Sequence, residues 1–308
     1  MPHTLGFLFE SIAPIFILIL VGIVLRKTGL VGEEFISTSS RLVFRVALPV
    51  MLFQKMAAIS RISPELYLGL AGFAGITVLV FGLVWLLLRR VEGPRLGSLV
   101  QGSFRGNIAI IGLALIDRTF GSGPSGITAV FLVGMMPLYN LLAILVLSRC
   151  TGRTGGGALR NVLKEVSRNP LILSILLGIA FGILRIPLPS GVSASLGYLG
   201  QLTLPLALIS IGGSLNLKGL WSRKLLWGGI SAVKLAVLPA LAWLAADLLS
   251  LPREVRIALV MSAACPTAVS SFSMADAMGA DAGLAGEIVS ATTLFSMATL
   301  PFWTCLLA

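Results

Sequence analysis

The chain has few charged residues and a single histidine. Charged side chains make up 11% of its 308 residues, whereas a soluble domain carries about 25%. The histidine, His3, lies at the N-terminal end, and neither an HExxH nor a GxSxG motif occurs. Without histidine, a nucleophilic serine needs a lysine as its base, and Lys234 is the candidate. We therefore expect that the protein is not an enzyme. Of the alternative functions, an intramembrane hydrolase is the weakest.

Cysteine is also scarce. The three cysteines, Cys150, Cys265 and Cys305, are an odd number, and no pair has the spacing of metal ligands. The sequence predicts neither a disulfide framework nor a zinc site, and it calls for no cofactor.

Long hydrophobic runs are abundant instead. Hydrophobic residues make up 56% of the chain, and a helix needs about 20 of them in succession to cross a bilayer. Segments of this kind lie at 8–26, 38–57, 66–88, 96–116, 126–148, 170–186, 193–215, 225–249, 255–275 and 284–306. We predict an all-α polytopic membrane protein with ten transmembrane helices.

The charged residues are mostly basic, with a net charge of +11, and they are distributed unevenly. With ten crossings, one face holds Arg26, Lys27, Arg89, Arg90, Arg95, Arg149, Arg153, Arg160, Lys164, Arg168, Lys218, Arg223 and Lys224. The opposite face holds Arg61, Arg118, Arg185, Arg253 and Arg256. Cytoplasmic loops carry the excess of Lys and Arg, so the first face is cytoplasmic and both termini lie outside. The basic surplus reflects topology, and we expect no nucleic-acid partner.

The hydrophobic pattern occurs twice in the same order. The stretch 14–22 (PIFILILVG) returns at 170–178 (PLILSILLG), an offset of 170 − 14 = 156, and Leu48-Pro49 returns as Leu204-Pro205 at that offset. Further pairs are Leu99-Val100 with Leu259-Val260, and Phe131 and Pro137 with Phe295 and Pro301. An odd number of crossings per copy makes the second copy inverted, as in many secondary transporters.

Predicted helices 4 and 9 are interrupted at equivalent positions, 102–107 (GSFRGN) and 264–271 (ACPTAVSS). Glycine and proline free backbone groups that cannot stay bare in hydrocarbon, so such breaks occur where they are buried or line a cavity. Two broken helices that cross at mid-membrane point half-helix N-termini at a common centre, which suits an anion. The alternative is that these residues only permit close packing and kinks.

At these residues the chain resembles the auxin efflux carrier family, PIN-like transporters of the bile/arsenite/riboflavin-type superfamily, and their bacterial relatives. The resemblance spans nearly the whole length through Pro14 to Gly22, Leu48-Pro49, Gly106-Asn107 with Gly112, Tyr139-Asn140 and Cys265-Pro266-Thr267. It implies that helices 1, 2, 6 and 7 (1–60 and 168–220) form a scaffold and dimer surface. Helices 3–5 and 8–10 (61–150 and 221–308) would form a mobile transport domain, with 150–168 as a cytoplasmic linker.

The resemblance also implies that polar residues around the crossing bind an organic anion: Ser103, Asn107, Tyr139, Asn140 and Thr267. The breaks add Gly106, Cys265, Pro266, Ser270 and Ser271 as candidates. Arg105 is a further candidate, because a mid-membrane charge costs about 2.5–3.5 kcal/mol and a guanidinium can hold a carboxylate through two contacts. Alternatively, Arg105 reaches an interface or pairs internally.

Two ionisable residues are candidates for ion coupling. Glu287, at the start of the last helix, either relays protons or serves as a cap, and Lys234 is either functional or snorkels to an interface. A sodium site could be built from Ser103, Asn107, Ser270, Ser271 and backbone carbonyls. The sequence does not choose between proton coupling, sodium coupling and uniport.

These observations favour an elevator-type secondary carrier of small organic anions in a bacterial inner membrane, and the resemblance implies carboxylates such as malate, malonate or auxin-like acids as substrates. The alternative is a channel, with flux that does not saturate, or a sensor, with binding but no flux.

Overall fold

The computed structural model describes residues 2–57, 64–91, 93–151, 167–215 and 223–308. All regular secondary structure in these ranges is helical, with one isolated antiparallel bridge between Gly106 and Thr267. Six described helices are long and apolar enough to cross a membrane: Glu33–Ala57, Pro64–Leu87, Ser122–Thr151, Ser190–Ser214, Lys224–Leu248 and Ala282–Leu307. The prediction of an all-α, multi-span membrane protein is thereby confirmed. The glycine run of the predicted linker, 155–157, and the basic residues Arg61, Arg153, Arg160, Lys164 and Lys218 lie outside the described residues.

The first half of the chain forms helices α1 to α7. Their bounds are α1 Pro2–Lys27, α2 Glu33–Leu42, α3 Leu48–Ala57, α4 Pro64–Leu87, α5 Pro94–Phe104, α6 Leu113–Phe120 and α7 Ser122–Thr151. Two wide π-helical turns interrupt this half. Val43–Ala47 joins α2 to α3, and Ile108–Gly112 leads into α6. Arg26 and Lys27 occupy the last turn of α1, where cations interact favourably with the helix dipole.

The second half forms helices α8 to α15. Their bounds are α8 Pro170–Leu184, α9 Ser190–Gln201, α10 Thr203–Ser214, α11 Lys224–Ala232, α12 Leu238–Leu248, α13 Arg253–Ala264, α14 Ser270–Ala277 and α15 Ala282–Leu307. A third π-helical turn, Val233–Val237, joins α11 to α12. The side chains of Asn169 and Asp281 accept hydrogen bonds from the amides of Leu171 and Leu284, in the first turns of α8 and α15, which is how such residues cap helix N-termini.

Helices from the two halves pack directly on each other. Helix α1 packs along α10, and a Cβ at Gly212 would lie 2.0 Å from the Ile19 carbonyl oxygen. Helix α3 packs along α8, where a Cβ at Gly178 would lie 2.6 Å from the Phe53 carbonyl oxygen. Small residues let membrane helices approach closely, so glycine sets the spacing of both pairs.

A second group of helices surrounds the two chain breaks. Helix α5 packs against α4, α7 and α15, and α13 packs against α4, α7, α12 and α15. Phe104 and Ile108, on either side of the first break, are fully buried. This packing fixes the breaks in the interior of the protein.

Candidate functional site

The two broken helices meet through their backbones, at a place that we call the helix crossing and define as residues 105–107 and 265–269. The Asn107 amide donates to the Pro266 carbonyl over 2.8 Å, and the Ala268 amide donates to the Arg105 carbonyl over 3.0 Å. These bonds flank the antiparallel bridge between Gly106 and Thr267. Each broken segment therefore satisfies backbone groups of the other, as burial in a membrane protein requires.

Residue type at the helix crossing permits this approach. A Cβ at Gly106 would lie 3.3 Å from the Ser262 carbonyl oxygen, which is tight for any side chain. Thr267 ties the crossing to two helices, because its hydroxyl donates to the Gly102 carbonyl over 2.8 Å and its amide donates to the Thr292 hydroxyl over 3.1 Å. Thr267 thus joins the crossing to α5 and α15.

Helices end and begin at the helix crossing. Helices α5 and α13 have their C-termini there, whereas the π-helical turn leading into α6 begins at Ile108 and α14 begins at Ser270. A helix C-terminus carries a partial negative charge and an N-terminus a partial positive charge. The crossing therefore offers carbonyls that attract cations and amides that attract anions.

The two faces of the helix crossing differ in character. A Cβ at Gly106 would point toward Lys234, 3.5 Å from its Nζ. The side chains of neighbouring residues in an extended chain point to opposite sides. Those of Arg105 and Asn107 therefore point to the other side, which we call the open face. The Lys234 side is fully buried, whereas Arg105 is partly exposed.

Arg105 is held on the open face by two helices. Its Nη2 donates to Oδ1 of Asn140 on α7 over 2.8 Å, and its Nη1 donates to the Met274 sulfur on α14 over 3.2 Å. Asn107 is 6% exposed, and its side-chain amide makes no hydrogen bond within the described part of the chain. Its residual exposure leaves the amide accessible to a ligand or water that can bond to it.

Tyr139 lies behind the open face. Its ring packs against Phe104 with the centroids 5.9 Å apart, and its hydroxyl lies beside the Gly106 backbone and Thr77. The hydroxyl is buried and meets hydrogen-bond geometry with no described residue. Tyr139 therefore contributes a second polar group close to the crossing.

Several predicted site residues bond within their own helix. The Ser103 hydroxyl donates to the Val100 carbonyl over 2.7 Å, and the Cys265 thiol donates to the Met261 carbonyl over 3.2 Å. Ser270 is exposed at the start of α14, while Ser271 is buried and accepts a 2.8 Å bond at its carbonyl from Gln101 Nε2. The structure thus brings together Arg105, Gly106, Asn107, Tyr139, Asn140, Cys265, Pro266 and Thr267 at or beside the crossing. Ser103, Ser270 and Ser271 lie in the adjoining helices α5 and α14.

Lys234 and Glu287 occupy different surroundings. Lys234 is fully buried and donates to the Ala263 carbonyl over 2.6 Å, so it does not snorkel to an interface. Glu287 accepts from Arg223 Nη2 over 2.6 Å, and Asp281 accepts from Arg223 Nη1 over 2.7 Å. Partial burial lowers the pKa of Arg223, but these carboxylates more than offset it and raise the pKa above its ordinary value. Glu287 thus belongs to an ion-pair cluster.

Sequence reasoning missed Gln101, Met274 and Thr292, all of which contact the crossing or its residues. Gln101 was the most detectable, because an amide stands directly after Leu99-Val100 in an apolar segment. No sequence signal marked Met274, since methionine is common in membrane helices.

Several membrane-spanning helices and a buried crossing of broken helices define the class of polytopic membrane transport proteins. The family model described as "Membrane transport protein" matches residues 7–154 and 157–304. The chain belongs to this family, and its resemblance to the auxin efflux carriers is confirmed. Membership makes the protein a membrane transporter rather than an enzyme.

The chain is similar over almost its whole length to proteins named as transporters. It is 26% identical to an "Uncharacterized transporter" of Methanothermobacter thermautotrophicus, covering 97% of this chain and 98% of that protein. It is 27% identical to an uncharacterized transporter of Methanocaldococcus jannaschii, covering 94% and 95%. It is also 27% identical to a Rhizobium meliloti protein named "Putative malonate transporter", covering 94% and 92%.

Proposed function

We propose that this transporter carries small organic carboxylates and binds them on the open face of the helix crossing. The observation that carries the proposal is the pairing there of a partly exposed guanidinium, Arg105, with the unpartnered amide of Asn107. A guanidinium offers a carboxylate two parallel N–H donors, and the amide supplies a further donor. The name of the Rhizobium relative supports a short dicarboxylate such as malonate as the first substrate to test.

We further propose ten crossings arranged as two inverted repeats. The helical stretches Glu33–Ala57 and Ser190–Ser214 each have 25 residues, and the stretches Pro64–Leu87 and Lys224–Leu248 have 24 and 25. The two breaks fall in corresponding places and meet as an antiparallel pair. This correspondence supports the repeat expected from the sequence.

The proposed mechanism is elevator-type alternating access. Helices α1–α3 and α8–α10 (within 1–60 and 168–220) form the scaffold, and α4–α7 and α11–α15 (within 61–150 and 221–308) form the transport domain. The tight glycine contacts of α1 with α10 and α3 with α8 support a scaffold that stays together. Among the described ion pairs, Lys55 with Asp117 joins scaffold to transport domain, and the other pairs lie within one unit.

The basic residues support an orientation with both termini outside. We propose a bacterial inner membrane as the location. We propose dimerisation through the scaffold, as the family resemblance implies. Glu287 is a weak candidate for proton coupling, because its carboxylate is held in an ion pair by two donors of Arg223.

The test is counterflow of labelled malonate, malate and indole-3-acetate in proteoliposomes. We expect saturable flux of at least one carboxylate, lost in Arg105→Ala and Asn107→Ala. Arg89→Ala is the matched control, because Arg89 is exposed at the end of α4 and its loss removes the same charge far from the crossing. Flux that does not saturate would indicate a channel, and binding without flux a sensor; either result contradicts the proposal.

A further inference from the structure

Lys234 is a buried cation without a carboxylate partner. It is 0% exposed, and among the described residues no Asp or Glu lies within ion-pair distance of its Nζ. Its Nζ donates to the Ala263 carbonyl over 2.6 Å. An ammonium has three donors, and burial of an unpaired charge is costly, so this position is not explained by packing alone.

The Lys234 side chain leaves from an irregular turn of its helix. Lys234 lies in the π-helical turn Val233–Val237, between α11 and α12. The turn changes the backbone hydrogen bonds from the α-helical pattern. Within the turn, the Leu235 carbonyl accepts a hydrogen bond from the Trp303 indole N–H over 2.9 Å. Insertions of this kind are rare and recur at functional sites.

The ammonium lies where helix carbonyls lack partners. Ala263 is the next-to-last residue of α13, and the last four carbonyls of a helix have no partner within it. The C-terminus also carries a partial negative charge. Gly106 follows the end of α5, and a Cβ at this residue would lie 3.5 Å from Nζ of Lys234. In other transporters, unwound carbonyls and half-helix C-termini of this kind coordinate sodium.

We propose that the Lys234 ammonium is a resident cation, occupying the place beside the Ala263 carbonyl, at the C-terminus of α13, where a coupling metal cation would bind. The protein then needs no sodium, either to stabilise the crossing or to move its substrate. The second part rests on the proposed function, whereas the first does not. Lys234 does not serve as the substrate's countercharge, because it lies on the buried face, opposite Arg105.

The test measures thermal unfolding of the purified full-length protein in choline chloride and in NaCl of equal ionic strength. We expect the same Tm for the parent in both salts. Lys234→Ala should lose several degrees in choline chloride and recover most of the loss in NaCl with a saturable dependence, because a small cation enters the vacated place. Lys234→Met, which fills the place with an apolar side chain, should be destabilised and not recover.

Lys224→Ala is the matched control: it removes the same charge from the same helical stretch, but Lys224 is exposed, so its Tm should not depend on the cation. The proposal is overturned if Lys234→Ala is as stable as the parent or does not respond to sodium. Should Lys234→Ala not fold in either salt, the parent still decides, because a saturable rise of its Tm with sodium also overturns the proposal. None of these readouts needs transport, so they separate this proposal from the proposed function.

Discussion

At the scale of the residue, the geometry of the Arg105 side chain matters as much as its charge. Asn140 and Met274 each accept a hydrogen bond from one terminal nitrogen of the guanidinium, and together these bonds fix its plane. A lysine has a point charge on a flexible stem and cannot present two parallel donors. The effects of charge and of side-chain shape at this position can therefore be tested separately by substitution.

Arg105→Lys should keep the positive charge but bind the carboxylate substrate at least about tenfold more weakly, since a charge-assisted hydrogen bond contributes about 1.5–3 kcal/mol. The concentration dependence of malonate counterflow measures this as a raised half-saturation value. Arg89→Lys is the control on the exposed surface. Equal half-saturation for Arg105→Lys and the parent would show that only charge is needed there.

The residues of the site were predictable to different degrees. Gly106, Asn107, Pro266 and Thr267 were predictable because glycine, proline and polar residues interrupt otherwise apolar helices. The inward bonds of Ser103 and Cys265 were not, because hydroxyl and thiol groups in a helix can instead bond to carbonyls three or four residues earlier. Gln101 bonds to Ser271, 170 positions away, and such a contact depends on how the two segments cross.

At the scale of the element, hydrophobic pattern located the helices but not their ends. The apolar segment 38–57 belongs to a helical stretch that begins at Glu33, because polar residues can continue a helix beyond the hydrocarbon. The three π-helical turns had no sequence signal, since they arise where neighbouring helices and buried groups impose them.

Gly212 should be intolerant of even a methyl group. Its Cβ direction meets the backbone oxygen of Ile19, which cannot rotate away, so α1 and α10 would have to separate. Gly212→Ala should destabilise the protein by about 1–3 kcal/mol, the usual cost of overpacking. Thermal unfolding in detergent measures this as a lowered Tm.

Gly75→Ala is the matched control for this prediction, because apart from the adjacent chain of α4 itself no heavy atom lies within 4 Å of its Cβ position. Alanine there should stabilise α4 slightly, since it is the better helix former. Equal Tm values for the two variants would mean that the α1–α10 contact can relax without cost.

At the scale of the whole molecule, an elevator movement requires the contacts between scaffold and transport domain to break. Lys55, at the end of α3, donates to Asp117 on α6 over 2.5 Å, and Ser125 on α7 bonds to both side chains. A partly exposed pair of this kind contributes only about 0–1 kcal/mol. The contact is therefore weak enough to open during transport.

Cysteines at Lys55 and Asp117, in a chain whose Cys150 and Cys305 are replaced by serine, should be bridged by Hg²⁺, and the bridge should abolish counterflow until a thiol reverses it. The control is a cysteine pair at Asp247 and Arg256, which form an ion pair (Arg256 Nη1 to Asp247 Oδ1, 2.7 Å) and lie in the same proposed unit. Bridging the control pair should leave flux unchanged, because both residues move together. Full flux through a protein bridged between residues 55 and 117 would mean that the two units do not move past each other, and the substrate would then have to pass the helix crossing by local opening alone.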